Sequence, residues 1–235
     1  MSAIDPNSRD RILARIRRSL DVHEDDAKRR LAVQRRLAVP AAGIIPARAR
    51  APADERLRSF QERLQAQRAT VECVDRAAGV PSVLALFLRA HSLSMTLRTG
   101  ADPVLAGLPW QAAPALTILR GRAETNDLIG LSRAYAAASE TGTLALVSGP
   151  DNPTTLNFLP ETHIVVIAAD RIVGPYEEIW RLLRADYGDR QMPRTVNMIS
   201  GPSRTADIEQ TMVMGAHGPR RLHVMIVAEA LEQAG

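Results

Sequence analysis

The sequence predicts an α/β fold in which a mostly parallel sheet is flanked by helices and follows an N-terminal helical extension. Short apolar runs bounded by glycine or proline alternate with segments of helical periodicity, as they do in proteins with parallel sheets. The chain has 235 residues, of which 46% are hydrophobic, and this is enough for one well-buried core with an appendage. We therefore expect a single main α/β domain.

Residues 1–38 are predicted to form the helical extension. Ile12, Ile16 and Leu20 recur at the spacing of one helix face, and the opposite face is rich in arginine. A second helical stretch, Asp25 to Ala38, has too few apolar positions to bury itself alone. We expect it to dock on the first helix or on another subunit, and the second arrangement would make the protein a homo-oligomer.

Residues 39–52 are predicted to be a linker or a strap over the core, because they are alanine-rich and their three prolines break helices and strand ladders. The α/β domain is expected over residues 53–235. Apolar residues at helical spacing predict its helices and short apolar runs predict its strands. In order, we expect helix Ala53–Gln67, strand Thr70–Asp75, helix Pro81–Ala90, strands Leu93–Leu97 and Leu116–Leu119, helix Thr125–Ser139, strands Leu144–Val147 and His163–Ala168, helix Tyr176–Tyr187, and strands Val196–Ile199 and Leu222–Val227.

The net charge of +4 is concentrated in the N-terminal segment. Residues 1–60 hold 14 Lys or Arg against 8 Asp or Glu, and the remainder holds 16 against 18. A basic arm can bind nucleic acid, but here acidic residues are interleaved with the basic ones and no aromatic residue precedes Phe60. We therefore expect a solvated helical face and no nucleic-acid partner.

Cys73 is the only cysteine of the chain. An intramolecular disulfide, a thiolate zinc site and a cysteine-ligated iron-sulfur cluster within this chain are thereby excluded. No apolar run approaches the roughly 20 residues that span a bilayer, and no signal-peptide pattern opens the chain. The sequence predicts a soluble cytoplasmic protein without a cofactor of its own.

The segment Ser200–Thr205 (SGPSRT) predicts a small-anion site. Ser200, Gly201, Ser203, Arg204 and Thr205 are expected between the end of a strand and a helix that Ser203 or Thr205 caps. Free N–H groups at a helix start and an arginine suit a carboxylate or a phosphate, and such loops lie beyond the carboxyl ends of parallel strands. The alternative is ordinary capping beside a surface arginine.

The segment Glu140–Thr143 (ETGT) predicts a second part of the same site. It is expected where a helix gives way to a strand. Gly142 permits positive φ, and the hydroxyls of Thr141 and Thr143 with exposed N–H groups favour an anion-binding nest. Alternatively, Gly142 ends the helix and the threonines begin the strand.

His217 is the candidate catalytic imidazole, because the following Gly218 and Pro219 turn the backbone sharply and present the side chain. His163 and His223 open predicted strands, where a histidine usually satisfies a local hydrogen bond. No metal-ligand spacing is present among the histidines and carboxylates, so no metal site is predicted.

Several motifs resemble the lactate-utilisation protein C family, whose core is the LUD domain. They are SRTADIEQT followed by GAHGPR and LHV, then ETGTL and LPETHIVV upstream, and the opening helix SRDRILARIRRSL. The resemblance covers the chain from about Phe60 to its C-terminus.

The resemblance implies a core like that of CoA transferases, ribose-5-phosphate isomerase and glucosamine-6-phosphate deaminase. That superfamily uses a catalytic glutamate, which makes Glu209 a second catalytic candidate. On a helix Asp207 would point about 200° away from Glu209, and its place in the first helical turn is explained by the helix dipole.

The resemblance further implies a component of the system that oxidises L-lactate to pyruvate, with iron-sulfur clusters on partner proteins and a small anionic ligand bound at residues 140–143 and 200–218. The alternative is a free-standing enzyme of the isomerase or CoA-transferase type, acting on a phosphorylated or carboxylated metabolite.

Overall fold

The computed structural model describes residues 8–23, 26–39, 43–188, 191–208 and 211–231. The chain divides into two compact units, one up to Ile44 and the other from Ile45 onward. The first unit contains helices α1 (Ser8–Ser19) and α2 (Ala27–Ala38), as expected from the periodicity. The Asp26 side chain caps α2 by accepting from the backbone N–H of Arg29 at 3.0 Å. Neither helix has a buried residue.

The second unit has five helices and two larger sheets among its described residues. Its helices are α3 (Ala53–Ala66), α4 (Val80–Ala90), α5 (Pro103–Ala106), α6 (Thr155–Phe158) and α7 (Tyr176–Tyr187). Its strands are β1 (Thr70–Val74), β2 (Thr96–Thr99), β3 (Thr117–Arg120), β4 (Ile129–Arg133), β5 (Ala136–Ala138), β6 (Thr143–Val147), β7 (Thr162–Ala168), β8 (Ile172–Val173), β9 (Val196–Ile199), β10 (Arg204–Ile208), β11 (Thr211–Met214) and β12 (Arg221–Val227).

Six strands form a parallel sheet in the order β1-β12-β7-β4-β2-β3. The strands β7 and β12 lie inside it and are apolar almost throughout, because both faces of the sheet are covered. Ile164 and Val166 pack in one buried cluster with residues of α4. Val165 and Ile167 alternate with them and pack toward Phe60 and other residues on the opposite face.

The opposite face of this sheet is covered by α3 and by a second sheet of order β8-β5-β6-β9. The strand β6 runs antiparallel to β5 and β9, while β5 runs parallel to β8. Ile179 and Leu183 of α7 pack with Ala136, Ala138 and Ala145 on the outer side of the second sheet. The predicted α/β class, with a mostly parallel sheet flanked by helices, is confirmed, and the second sheet is an addition that the sequence did not predict.

Residues 45–52 lie over the α/β unit as a strap. A short 3₁₀ turn, Ala47–Arg50, contains the buried Ala49. A Cβ on Gly174 would lie 2.0 Å from the carbonyl oxygen of Ala49, so only glycine allows the strap this close.

The predicted helix Thr125–Ser139 is wrong. Strands β4 and β5 occupy most of this segment, and β4 lies between β2 and β7. Leu128, Leu131 and Tyr135 fit a helical spacing, but pairing with two parallel strands overrides a pattern of three residues. Gly130 lies within the strand, where a Cβ would meet the carbonyl oxygen of Leu156 at 2.6 Å.

The predicted helix after Ser203 is also wrong. Strands β10 and β11 form an antiparallel hairpin there, with Arg204 opposite Met214 and Thr205 opposite Val213. Asp207 lies on β10, so the 200° separation expected on a helix does not apply. The strand Val196–Ile199 was expected in the mostly parallel sheet, but it is the edge strand β9 of the second sheet and pairs antiparallel with β6.

Candidate functional site

A cavity of about 280 Å³ opens where the two sheets and α6 come together. This volume lies near the lower end of the range for ligand pockets, about 300 Å³, and therefore suits a small molecule. Its lining residues are Asn157, Phe158, His163, Met198, Ile199, Ser200, Gly201, Pro202, Ser203, Arg204, His217, Gly218, Pro219 and Leu222.

The cavity lies at the amino-terminal ends of β7 and β12, where His163 and Leu222 are each the second residue of their strand. The carboxyl ends of the strands, where we expected the site, are at the opposite edge. The reason is the path of the chain. The strand β9 belongs to the second sheet, and the loops and the hairpin that follow it lead into the start of β12. Residues that precede a strand lie at its amino end.

Ser203 fixes the shape of the loops around the cavity. Its backbone N–H donates to the carbonyl of Pro219 at 2.8 Å, and its own carbonyl accepts from the N–H of Gly215 at 2.9 Å. Its side-chain Oγ accepts from the backbone N–H of His217 at 3.3 Å. These bonds hold Ser203 and His217 on facing sides of one hairpin.

Arg204 supplies the permanent positive charge of the cavity lining. Its guanidinium donates to the side-chain oxygen of Gln67 at the end of α3, while the residue as a whole is exposed. Gly201 lies against the same Gln67, since a Cβ there would be 2.9 Å from the Gln67 Cβ. No carboxylate is among the lining residues that the structure describes. The local charge therefore favours an anion.

The ETGT segment touches the lining without being part of it. The Thr143 hydroxyl lies 2.7 Å from the hydroxyl of Ser200 and 2.7 Å from that of Thr141. Gly142 has φ +68°, and a Cβ there would meet the Cβ of Arg63 at 2.8 Å. The expected positive φ is present, but Thr141, Gly142 and Thr143 are not among the lining residues.

Glu140 points to the strap. Its carboxylate accepts from the Arg48 guanidinium at 3.3 Å and from the backbone N–H of Tyr176 at 3.4 Å, and the residue is only 8% exposed. These partners give Glu140 a structural role. The hairpin residue Thr205 is likewise outside the lining.

Three buried polar residues, Ser132, Asn157 and His163, form a hydrogen-bonded chain beside the cavity, and we call them the polar floor. The Ser132 hydroxyl donates to Asn157 Oδ1 at 3.2 Å and lies 3.1 Å from His163 Nε2. Each of the three residues is 1% exposed. Asn157 and His163 also line the cavity.

Two atoms of the polar floor have no hydrogen-bond partner among the described residues: His163 Nδ1 and Asn157 Nδ2. Burial lowers the pKa of His163 from its usual 6.5 to about 3, so the imidazole is neutral near pH 7. The sequence predicted a local hydrogen bond for His163, but its partner Ser132 is 31 residues away, on the neighbouring strand β4. It gave no indication of the polar floor, because the three residues come from separate segments.

His223 differs from His163 in its surroundings. Its Nδ1 lies 2.8 Å from the hydroxyl of Thr70, and its ring stacks on Phe87 with centroids 3.6 Å apart. Burial, together with the nearby His91, lowers its pKa to about 4. Because His223 lies outside the cavity lining, its role is in the core.

Three further properties concern the described part of the chain only. No grouping of three or more His, Cys, Asp or Glu that would hold a metal is found there. No helix in those ranges has the length and hydrophobicity needed to cross a membrane. The catalytic candidate Glu209 lies outside the described residues.

The fold and the cavity define an α/β protein with a small pocket between two sheets, and comparison with known proteins gives its family. The LUD domain family model matches residues 57–227. The chain therefore belongs to the LUD domain family, as its motifs indicated.

A solved structure and curated proteins support this membership. A DUF162 family protein from Deinococcus radiodurans superposes with a TM-score of 0.54 at 26% identity, over 76% of this chain and 99% of that chain. Lactate utilization protein C from Halalkalibacterium halodurans is 36% identical over 46% of this chain and 47% of its own length. The protein of the same name from Bacillus subtilis is 26% identical over 67% of both chains.

An uncharacterised protein of Neisseria meningitidis serogroup B is 38% identical over 44% of this chain and 43% of its own length. The first relatives thus match this chain over about half of their length or less.

Proposed function

We propose that this protein is a component of L-lactate utilisation, the oxidation of L-lactate to pyruvate, and that it binds a small anionic ligand in the cavity at the starts of β7 and β12. The relatives named lactate utilization protein C support the role. The observation that carries the binding is the charge of the lining, where Arg204 faces no carboxylate among the described lining residues.

The lining also supplies hydrogen bonds for such a ligand. Ser200 and Ser203, which carry hydroxyl groups, line the same cavity as Arg204. A guanidinium binds a carboxylate through two parallel hydrogen bonds, which gives orientation as well as charge. A cavity of about 280 Å³ accommodates a carboxylate of a few carbon atoms, such as lactate or pyruvate.

The electrons of lactate oxidation require an acceptor, and we propose that iron-sulfur clusters of partner proteins receive them. Each lactate that becomes pyruvate releases two electrons and two protons. With one cysteine in the chain, a cysteine-ligated cluster needs ligands from another protein. The chain purified alone is expected to contain less than one iron per molecule, and stoichiometric iron by elemental analysis would contradict this part of the proposal.

The binding proposal is tested by thermal melting and calorimetry of the full chain with L-lactate, pyruvate and inorganic phosphate. At least one of these anions is expected to raise the melting temperature, by the equivalent of about 2.7 kcal/mol at a hundredfold excess over Kd. Arg204→Ala should abolish the shift.

Arg122→Ala is the matched control, since Arg122 is exposed and outside the cavity lining. It removes the same charge and should retain the shift. The proposal fails if Arg204→Ala responds as the wild type does, or if none of the three anions binds.

A further inference from the structure

Helix α3 ends at Gln67, whose side chain reaches the loops around the cavity. Among the hydrogen bonds that close the helix, the backbone N–H groups of Gln67 and Ala69 each donate to the carbonyl of Leu64 at 3.0 Å, and that of Arg68 donates to the carbonyl of Gln65 at 2.8 Å. Arg68 has φ +67°, the left-handed conformation in which helices commonly end. The backbone of Gln67 is therefore held in place on both sides.

Gln67 contacts two lining residues of the cavity, Gly201 and Arg204, but it is not a lining residue itself. Its side-chain oxygen accepts a hydrogen bond from Nη2 of Arg204. A Cβ on Gly201 would lie 2.9 Å from the Cβ of Gln67 and 3.3 Å from its carbonyl oxygen. Because residue 201 has no side chain, the loop can approach the end of α3 this closely.

The amide of Gln67 suits an arginine that must bind an anion. A guanidinium has five N–H donors, so one donor used on Gln67 leaves four, and a carboxylate or a phosphate needs two of them. The amide oxygen has no net charge, and it therefore restrains the Arg204 side chain without neutralising it. Since Arg204 is otherwise exposed, this restraint lowers the loss of side-chain freedom when a ligand binds.

We propose that Gln67 is a positioning residue for anion binding, which holds the guanidinium of Arg204 in the orientation that receives the ligand. The inference rests on the proposed function, in which Arg204 binds the charged group of the ligand. Gln67 acts through Arg204, because it contributes no atom to the cavity lining. Gly201 belongs to the same arrangement, because it leaves the space that the Gln67 side chain occupies.

Gln67→Met tests the positioning directly. Methionine has about the same length and no charge, but it lacks the amide oxygen, so Arg204 keeps its charge and loses its restraint. Calorimetric titration of the full chain with L-lactate, pyruvate and inorganic phosphate should give a Kd about fivefold higher for each anion that the wild type binds. Gly201→Ala should raise the Kd as well, because the added Cβ displaces Gln67.

Gln67→Glu separates a positioning role from a merely structural one. The carboxylate can accept the same hydrogen bond, but it forms an ion pair with Arg204 and competes with the ligand. The Kd should rise by at least about tenfold, although the contact that holds the loop to α3 is kept. A merely structural contact would leave the affinity unchanged in this variant.

Gln65→Glu is the matched control, since Gln65 is exposed and lies two residues earlier in α3. It adds the same charge near the same helix end, where a negative charge is unfavourable. Its Kd should stay within about twofold of the wild-type value, because solvent and salt screen an exposed charge. The unliganded Gln67→Glu protein should melt at or above the temperature of Gln65→Glu, since its ion pair offsets the effect of the helix dipole.

Two results would overturn the positioning role and leave the anion site intact. One is a Gln67→Met protein that binds the anions as the wild type does. The other is a Gln67→Glu protein with the same affinities as Gln65→Glu. If the wild type binds none of the three anions, the proposed binding at Arg204 fails and the role of Gln67 fails with it.

Discussion

The hydroxyl groups of Thr143 and Ser200 lie 2.7 Å apart, and this contact joins two motifs that are far apart in sequence. Thr143 begins β6, and Ser200 follows the neighbouring strand β9. Through this contact the ETGT segment holds Ser200, a lining residue, from the side that faces away from the cavity. The two predicted parts of the site therefore meet, but only one of them lines the cavity.

Replacing Thr143 by valine tests this support. Valine has nearly the shape of threonine without the hydroxyl, and Thr143 is 3% exposed. We expect a loss of about 1 kcal/mol in the free energy of unfolding, the usual contribution of a hydrogen bond, measured by urea denaturation. Thr117→Val on the exposed side of β3 should change stability by less than about 0.5 kcal/mol. Equal effects of the two substitutions would contradict the role of Thr143.

Gly142→Ala should destabilise the fold more strongly. The residue has φ +68°, and the added Cβ would lie 2.8 Å from the Cβ of Arg63. The left-handed conformation alone costs an alanine about 1–2 kcal/mol, and the close contact adds to this. Gly149→Ala is the matched control, because a Cβ there has no atom within 4 Å. Chemical denaturation should separate the two variants by at least about 1 kcal/mol.

Stability should fall as the pH is lowered below about 6.5. The folded-state pKa of His163 is about 3 and that of His223 about 4, so between these values and 6.5 the unfolded chain binds protons that the folded chain does not. Each histidine then costs up to about 1.4 kcal/mol per pH unit. Between pH 7 and pH 5 this amounts to about 2 kcal/mol for each of them.

Urea denaturation of wild type and His163→Gln at pH 7 and pH 5 measures this effect. The substitution removes one of the two groups and should reduce the loss by about half. His223→Gln should do the same from the other face of the sheet. A wild type that is equally stable at both pH values would show that neither imidazole is held neutral.

Deletion of the N-terminal residues should show that the first unit and the strap contribute differently to the stability of the α/β unit. A chain without residues 1–44 should still unfold cooperatively, since the α/β unit begins at Ile45. A chain without residues 1–52 also loses the buried Ala49 and the ion pair of Arg48 with Glu140. We expect it to be less stable by a further 1–2 kcal/mol, roughly. If the two truncated proteins have identical thermal melts, residues 45–52 do not stabilise the α/β unit and act only as a linker.

The sequence was most informative where burial is continuous. The apolar run of β7 and the amphipathic face of α7 were predicted correctly because burial on both faces or on one face dictates residue type directly. The strand β4 was missed because three apolar residues at helical spacing are no obstacle to a strand once partners on both sides are available. The hairpin of β10 and β11 was missed because the polar residues around the start of β10 resemble a capped helix start.

The site was predictable only where it is local. Ser200, Gly201, Ser203, Arg204 and His217 come from one stretch of chain, and they line one cavity. The polar floor unites residues from β4, α6 and β7, and it depends on the parallel pairing of β4 with β7. That pairing joins segments that are far apart in the sequence, and no residue spacing predicts it.

Residues 198–222 supply eleven of the fourteen residues around the cavity, while the other three belong to α6 and β7. One continuous segment therefore supplies most of the cavity lining, and it is anchored at each end by a strand, β9 in one sheet and β12 in the other. We expect that transplanting this segment between homologues would alter ligand preference.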